Sequence, residues 1–458
     1  MTTTSSPTPV TPAENPTLPF WRTDLHELDE IRTTPELPET SDIVIIGGGY
    51  AGVSVAYHLV NSQPQNTPAP SITILEARQI CSGATGRNGG HLRPDVYHAT
   101  FQCMEQHGIE AATELAKFEV SHIPAVRDVI AKESIDCDFH LSRCMNVYLS
   151  DENAEKAKEI YDALHANGFP YADNLQYTPQ TEAEKVSGVK YAKACISFTA
   201  GKLWAYKLVL GLLARIIKED SVNVQTHTPV ISVEADGADH LVHTPRGTIR
   251  TSKVVYTTNA YTAGLLPEYA TTIVPCRGIC CHIAIPETET APYLEHSYAL
   301  WNKEGKFDSY LISRPDGSII VGGASTTFAH AKEQWYNMTD DSTLIEPTKN
   351  YWDGYMQRTF NGWEKSEAAV KEIWTGIMGY SYDIHPHIGE VPDKPGQYVC
   401  AGFNGHGMPV VFLSGKGIAE MIHTGKKFEE VGLPRVYRTS AERLQAAQEG
   451  PEGGSILA

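Results

Sequence analysis

The first sustained apolar segment, Asp42-Ile43-Val44-Ile45-Ile46, is a continuous β-branched run. Such a run predicts a strand buried on both faces of a parallel sheet, because a strand with one wet face would alternate. Glycines end it, and apolar positions then recur at helical spacing through Val53-Ser54-Val55-Ala56-Tyr57-His58-Leu59-Val60. After a Pro/Gln/Asn-rich loop a second strand reads Ile72-Thr73-Ile74-Leu75-Glu76, completing a β-α-β unit. Residues 104–132 and 152–167 predict helices; Cys144 to Leu149, Lys253 to Thr257, Cys280 to Ile285 and Ser318 to Val321 predict strands. Pro315-Asp316-Gly317, between two apolar runs, has the turn chemistry of a β-hairpin, whose natural home is an antiparallel sheet. The last strong unit is a strand from Tyr398 to Phe403, a glycine-rich turn, and an apolar helix from Val410 to Ile422.

A chain of 458 residues exceeds the roughly 250–300 at which single cores stop growing, so two domains are expected. Residues 1 to about 20 are Thr, Ser, Pro and Ala without apolar periodicity and predict a disordered tail; the chain from about Ser440 predicts a polar one. The net charge of −18, with no basic run, excludes a polyanion such as nucleic acid as partner. Nine scattered cysteines suit reduced thiols, and no apolar window approaches the roughly 18 residues of a membrane span, so a cytoplasmic protein is expected. Cys276, Cys280, Cys281 and His282 are bunched, yet adjacent Cys280 and Cys281 would point to opposite faces of a strand, so no metal is expected there.

Gly47, Gly49 and Gly52 have G-x-G-x-x-G spacing and fall between the buried strand and the helix after it. Dinucleotide binding needs that placement. The first glycine permits a tight turn, the second lets the backbone approach a pyrophosphate, and the third lets helix and strand pack closely. The phosphates then meet the positive, amide-rich helix N-terminus, where Tyr50 and Ala51 lie. Glu76, followed by Ala77, stands at about the 20-residue offset of an acid that bonds ribose hydroxyls, and a carboxylate there disfavours NADP. NAD and FAD remain open, since both carry the ADP half. The segment from Arg78 to Arg93 is too rich in glycine for a regular element and offers free amides to the rest of a long cofactor. Ser82, Ala84, Thr85, Arg87, Asn88, Gly89, Gly90, His91 and Leu92 are its candidate contacts.

Ser82-Gly83-Ala84-Thr85-Gly86-Arg87-Asn88-Gly89-Gly90 resembles the Ser-Gly-Ala-Ser-Gly-Arg-Asn-Gly-Gly loop of the FAD-dependent D-amino-acid-oxidase-like family, which includes sarcosine, glycine and γ-glutamylputrescine oxidases. Three more stretches resemble family motifs: Thr228-Pro229-Val230, whose backbone would meet adenine; Thr258-Asn259-Ala260-Tyr261, a strand end near the cofactor; and Gly402-Phe403-Asn404-Gly405-His406-Gly407-Met408, the flavin loop. The resemblance implies an α/β fold with a Rossmann-like FAD-binding domain formed by residues 21–105, 195–275 and 370–435. It also implies an inserted α+β substrate domain, residues 106–194 and 276–369, on a mixed, largely antiparallel sheet. Val230, Asn259, Gly376, Phe403, Asn404, Gly405, His406, Gly407 and Met408 become cofactor contacts. The implied activity is FAD-dependent oxidation of a C–N bond in an amine or amino-acid-like substrate. A hydride passes to flavin N5, the imine hydrolyses, and molecular oxygen or another acceptor takes the electrons. An NAD-dependent dehydrogenase and a non-catalytic FAD-binding protein are the alternatives.

Such oxidation needs orientation, desolvation and an unprotonated amine more than acid–base machinery. The candidate catalytic residues are His91 and His406 in the cofactor loops, Arg93 as partner of a substrate carboxylate, and Tyr380, with Trp374 and Tyr382, as aromatic wall. Each has a plain structural alternative: a loop histidine bonded to backbone, a salt bridge, a core aromatic. The chain departs from the family pattern three times. Arg87 stands where dimethylglycine-dehydrogenase-like members carry a flavin-linked histidine, so FAD is expected to be noncovalent. Gly376-Ile377-Met378-Gly379 replaces the Gly-Ile-Arg-Pro stretch that grips a carboxylate, which favours an amine or larger amino compound over a simple α-amino acid. The strand from Ser318 to Gly323 lacks the lysine that sarcosine-oxidase-like members hold over the flavin, leaving oxidase and dehydrogenase open.

Overall fold

The computed structural model describes residues 11–62, 68–290, 292–451 and 453–454. The β-branched run forms the strand Thr40–Ile46 inside a sheet ordered 387–390, 397–401, 247–256, 40–46, 72–75 and 222–225. Every pair along that path is parallel except the first. Two further strands, Ser232–Asp236 and Asp239–Thr244, add to it antiparallel through the start of 247–256. Both faces of the central strand are covered. Ile43 and Ile45 join a core with the helices Tyr50–Asn61, Ala205–Ile216 and Val411–Thr424, while Val44 and Ile46 join another with Val254, Tyr256, Ile273 and Val399. That two-sided burial is the reason the run does not alternate.

The second sheet has nine strands, ordered 369–381, 273–284, 319–323, 307–313, 297–301, 140–148, 194–202 and 91–92, with 176–178 paired to 194–202. Only the pair 297–301 with 140–148 is parallel. The Pro-Asp-Gly turn closes the hairpin Phe307–Ser313 with Ile319–Gly323, as its chemistry predicts. Cys280 packs into the first core and Cys281 into the second sheet's own core, on opposite faces of one strand.

Several expected boundaries differ from the sheets and helices observed. His91–Leu92, Ala194–Lys202 and Ala369–Ser381, assigned from sequence to the cofactor domain except for Ala194 and Ala369, are strands of the second sheet. The helical segment His98–Glu133, assigned mostly to the substrate domain, buries Ala112, Leu115 and Val126 in the cofactor-side core and is broken at Gly108, whose φ is 82°. Sheet membership follows from hydrogen-bond partners distant in sequence, which the local pattern does not carry. The ends differ as well. Residues 1–10 lie outside the described residues, but Thr17 is bonded at both N–H and hydroxyl, and Phe20 and Trp21 are buried. Beyond Ser440 the chain forms the helix Ala441–Glu449, capped by the Ser440 hydroxyl and buried at Leu444 and Ala447. Residues 452 and 455–458 lie outside the described residues.

Candidate active site

A cavity of about 1400 Å³ starts where Ile46, Leu75 and Thr257 end or follow the parallel strands, and runs on to the second sheet. It exceeds the roughly 300–1,000 Å³ of ordinary small-ligand pockets, and its position outside the carboxyl ends of the strands is the one open α/β sheets use. The glycine turn is built for close approach. Gly47 has φ 115°, and a Cβ there would stand 2.8 Å from Thr257 Oγ1. A Cβ on Gly52 would overlap the Gly47 carbonyl oxygen, so the third glycine seats the helix against the turn. Glu76 accepts from the Gly48 N–H (2.7 Å) and the Arg78 N–H (2.9 Å), one per oxygen, which fixes its carboxylate at the cavity wall. The Tyr50 N–H donates to Thr85 Oγ1 (2.9 Å), tying the helix N-terminus to the second glycine loop.

That loop is held from behind by buried charge. Arg87 Nε donates to the Ser82 carbonyl (2.8 Å) and Nη1 to the Thr375 carbonyl (2.8 Å), with Asp341 3.3 Å from Nε. Arg78 meets both oxygens of the same Asp341 at 3.0 Å. The Arg87 guanidinium is therefore committed to protein, and burial lowers it to about 10. The hydroxyls of Ser82 and Tyr261, by contrast, are buried at the cavity wall without a partner among the described residues. Unpartnered buried hydroxyls, an oriented carboxylate acceptor and a helix N-terminus with its N–H donors suit the phosphates and ribose hydroxyls of a dinucleotide.

The far end is made by loop 402–408 against the second sheet. Asn404 and Gly405 take positive φ, 54° and 70°. The amide oxygen of Asn259 accepts from the Gly402 and Phe403 N–H groups (3.0 and 3.2 Å), and that of Asn404 accepts from the Ser381 N–H (2.8 Å). Both asparagines line the cavity, but their amides position the loop. His406 Nε2 lies 2.9 Å from Glu119, a carboxylate only 2% exposed that also accepts from the Asp95 N–H. Burial alone would lower the His406 imidazole; the charge and hydrogen bond of Glu119 outweigh it and hold the pKa above its usual value. His91 Nε2 lies 2.7 Å from Ser297 Oγ, and burial, reinforced by Arg93, His406 and Lys202, keeps it neutral. Arg93 donates to Asn146 Oδ1 (2.9 Å), stands 3.8 Å from Asp95 and lies over the Phe198 ring. Tyr380 faces the cavity with its hydroxyl pushed up to about 12 by burial.

Most sequence candidates line this one cavity. Gly47, Gly49, Tyr50, Ala51, Glu76 and Ala77 form its first stretch; Ser82, Ala84, Thr85, Arg87, Asn88 and Gly89 its second; Val230, Asn259, Gly376 and residues 403–408 its third. His91, Arg93, Tyr380 and His406 lie along the same wall. Gly52, Gly90 and Leu92 do not line it. Gly52 packs on Gly47; Gly90 sits against Trp21 and Leu203; Leu92, next to His91 on a strand, turns into the core. Nor do Trp374, which is fully buried and donates to the Arg87 carbonyl (2.8 Å), and Tyr382, which packs on Gly450 and Gly454. Sequence reasoning missed Tyr310, Phe307 and Cys280. Tyr310 lies beside both Gly89 and Gly322, where any Cβ would overlap its ring, and its hydroxyl is 3.3 Å from Cys280 Sγ. The alternation of Tyr310 with Leu311 signalled only that the two take opposite faces of the strand, Leu311 in the second sheet's own core and Tyr310 against the first.

Fold and cavity together define a dinucleotide-dependent enzyme in which a second sheet closes the reactive end of the cofactor site. Residues 42–421 match the family described as DAO, FAD dependent oxidoreductase, and the chain belongs to that family. It is similar to gamma-glutamylputrescine oxidoreductase of Escherichia coli (strain K12), 23% identical over 386 residues, 84% of each chain. It is also similar to the glycine oxidase of Geobacillus kaustophilus (strain HTA426), 21% identical over 83% of this chain and 92% of that protein. Among solved structures, L-proline dehydrogenase from P. horikoshii superposes with a TM-score of 0.68 at 20% identity, covering 87% of this chain and 98% of the other. FAD is the cofactor, and the groups above fit it.

Proposed function

We propose that the protein oxidises the C–N bond of an amino compound that also carries a carboxylate away from the reacting carbon. FAD, when bound, supplies the hydride acceptor. The observation that carries the reading is the charge along the cavity. Its one acidic lining residue among those described is Glu76, at the ribose end; the basic side chains toward the second sheet are Arg93, Arg277, Lys306 and His406, with a neutral His91 beside them. The excess of basic over acidic lining side chains, offset in part where Asp95 faces Arg93 and Glu119 faces His406, disfavours an ammonium and so favours the neutral amine that hydride loss requires. It also favours a carboxylate, which Arg93 is suited to bind in place of the absent clamp at Met378. Tyr310, Phe307 and Tyr380 narrow this end and exclude water. The names of the relatives, gamma-glutamylputrescine oxidoreductase and glycine oxidase, agree with a substrate bearing both amine and carboxylate. Nine buried free thiols support a reducing, cytoplasmic setting.

Anaerobic mixing of the holoprotein with simple amines, N-methyl amino acids, carboxylate-bearing polyamine conjugates and free polyamines tests this. Bleaching of bound flavin is expected with the carboxylate-bearing polyamine conjugates; bleaching by free polyamines alone, or by N-methyl amino acids alone, would reverse the assignment. Readmitting air separates an oxidase from a dehydrogenase.

A further inference from the structure

We propose that residues 11–22, which precede the family match, are a strap that closes the cofactor cavity and sets how slowly FAD leaves it. The strap is fastened along the FAD loop. The Ala13 carbonyl accepts from Arg78 Nη1 (2.9 Å) and the Thr17 carbonyl from Arg87 Nη2 (2.7 Å). Thr17 Oγ1 accepts from Arg87 Nη1 (3.0 Å), and Arg22 Nη1 donates to the Ile80 carbonyl (2.7 Å). Trp21, fully buried, lies so close to Gly90 that a Cβ there would come within 2.8 Å of its ring.

The same segment is fastened to the second domain. The Thr17 N–H donates to the Asp341 carbonyl (2.8 Å), as does its hydroxyl (3.0 Å), and Thr17 Oγ1 accepts from the Thr375 N–H (3.1 Å). The Asp341 carboxylate, fully buried, joins Arg78 and Arg87. Two arginines of the cofactor loop, one acid of the substrate domain and the strap thus share a single buried knot. Beyond the knot, Thr11 and Pro12 line the same cavity as Glu76, Arg78 and Val230, the nucleotide end of the site. Charge-assisted bonds in a low-dielectric interior are strong and mutually reinforcing, so they fix Thr11 and Pro12, the strap residues at the cavity wall, and a molecule beneath those two leaves only when the fastening gives way. For a noncovalent cofactor that obstacle acts on the dissociation rate.

The inference rests on the FAD assignment above, and one experiment separates the two. Release of FAD, followed by the recovery of flavin fluorescence after dilution, is compared among the full chain, a chain lacking residues 1–18, Thr17→Val, and a chain lacking residues 1–10, which keeps every bond named here. Loss of the strap is expected to speed release by at least about tenfold and Thr17→Val by about threefold, with the shortest truncation unchanged. Melting of the apoproteins reports whether the truncated chain folds; if it does not, Thr17→Val carries the test. A folded truncation, or failing that Thr17→Val, that releases FAD at the full-chain rate overturns the strap. A full chain that takes up no FAD overturns the cofactor assignment instead.

Discussion

The two ends of the cavity are built by different means. The nucleotide end is mostly backbone, a glycine turn and a helix N-terminus with the Glu76 carboxylate beside them, contributed within Gly47–Glu76 by two adjacent strands and the helix between them. At the reactive end side chains do the recognising, and they come from five distant segments: His91 and Arg93, Glu119, Tyr310, Tyr380, and His406. Backbone recognition requires the absence of side chains and tolerates almost no substitution. Side-chain recognition can change residue by residue.

Substitution at the nucleotide end gives the largest expected effect. Gly52→Ala sets a methyl group on the Gly47 carbonyl, and because the partner is backbone neither can yield; the variant is expected to purify with almost no flavin, read from the visible absorbance per protein. A normal flavin content would show that the turn is looser than its geometry. Gly89→Ala joins the two ends, since its methyl group displaces the Tyr310 ring. Misplacement by about 1 Å at a reacting centre costs on the order of a hundredfold, so kcat/KM is expected to fall by about that factor while flavin is retained.

A titration comes next. The His406 pKa is raised in the folded protein, so the stability it contributes is fully present below the unfolded value of about 6.5 and is lost as pH rises through the folded value. The melting temperature of the wild type is expected to decline over that interval relative to Glu119→Gln, which lacks the ion pair; parallel curves would remove His406 as the cause. Smallest of all, Tyr380→Phe keeps the ring and removes a hydroxyl that has no hydrogen-bond partner among the described residues. A change in kcat/KM of less than about fivefold is expected; a much larger loss would give that hydroxyl a direct part in binding.

How much of this was legible in the sequence follows the same division. The strand, glycine turn, helix and acid were readable because each is a local pattern whose spacing is set by backbone geometry. The flavin loop at 402–408 was readable through family resemblance. The Glu119 partner of His406 was not, since 287 residues separate them and a glutamate within a helical pattern reads as a solvated face. Tyr310 against Gly89 was hidden for the same reason. The N-terminal segment was misread because Thr17 carries no apolar signal; its order comes from hydrogen bonds to Arg87, Asp341 and Thr375, and polar order of that kind leaves no periodicity.

By itself, then, the sequence determined the β-α-β unit of residues 42–76 and the hairpin chemistry of the second sheet, both consequences of interactions within a few tens of residues, and through family resemblance the class of cofactor. Only the tertiary structure decided which strands joined which sheet, which side chains met at the reactive end, and that a polar leading segment would be pinned by a buried aspartate. Those outcomes depend on desolvated contacts between remote segments, and no local pattern encodes the partner of a buried charge.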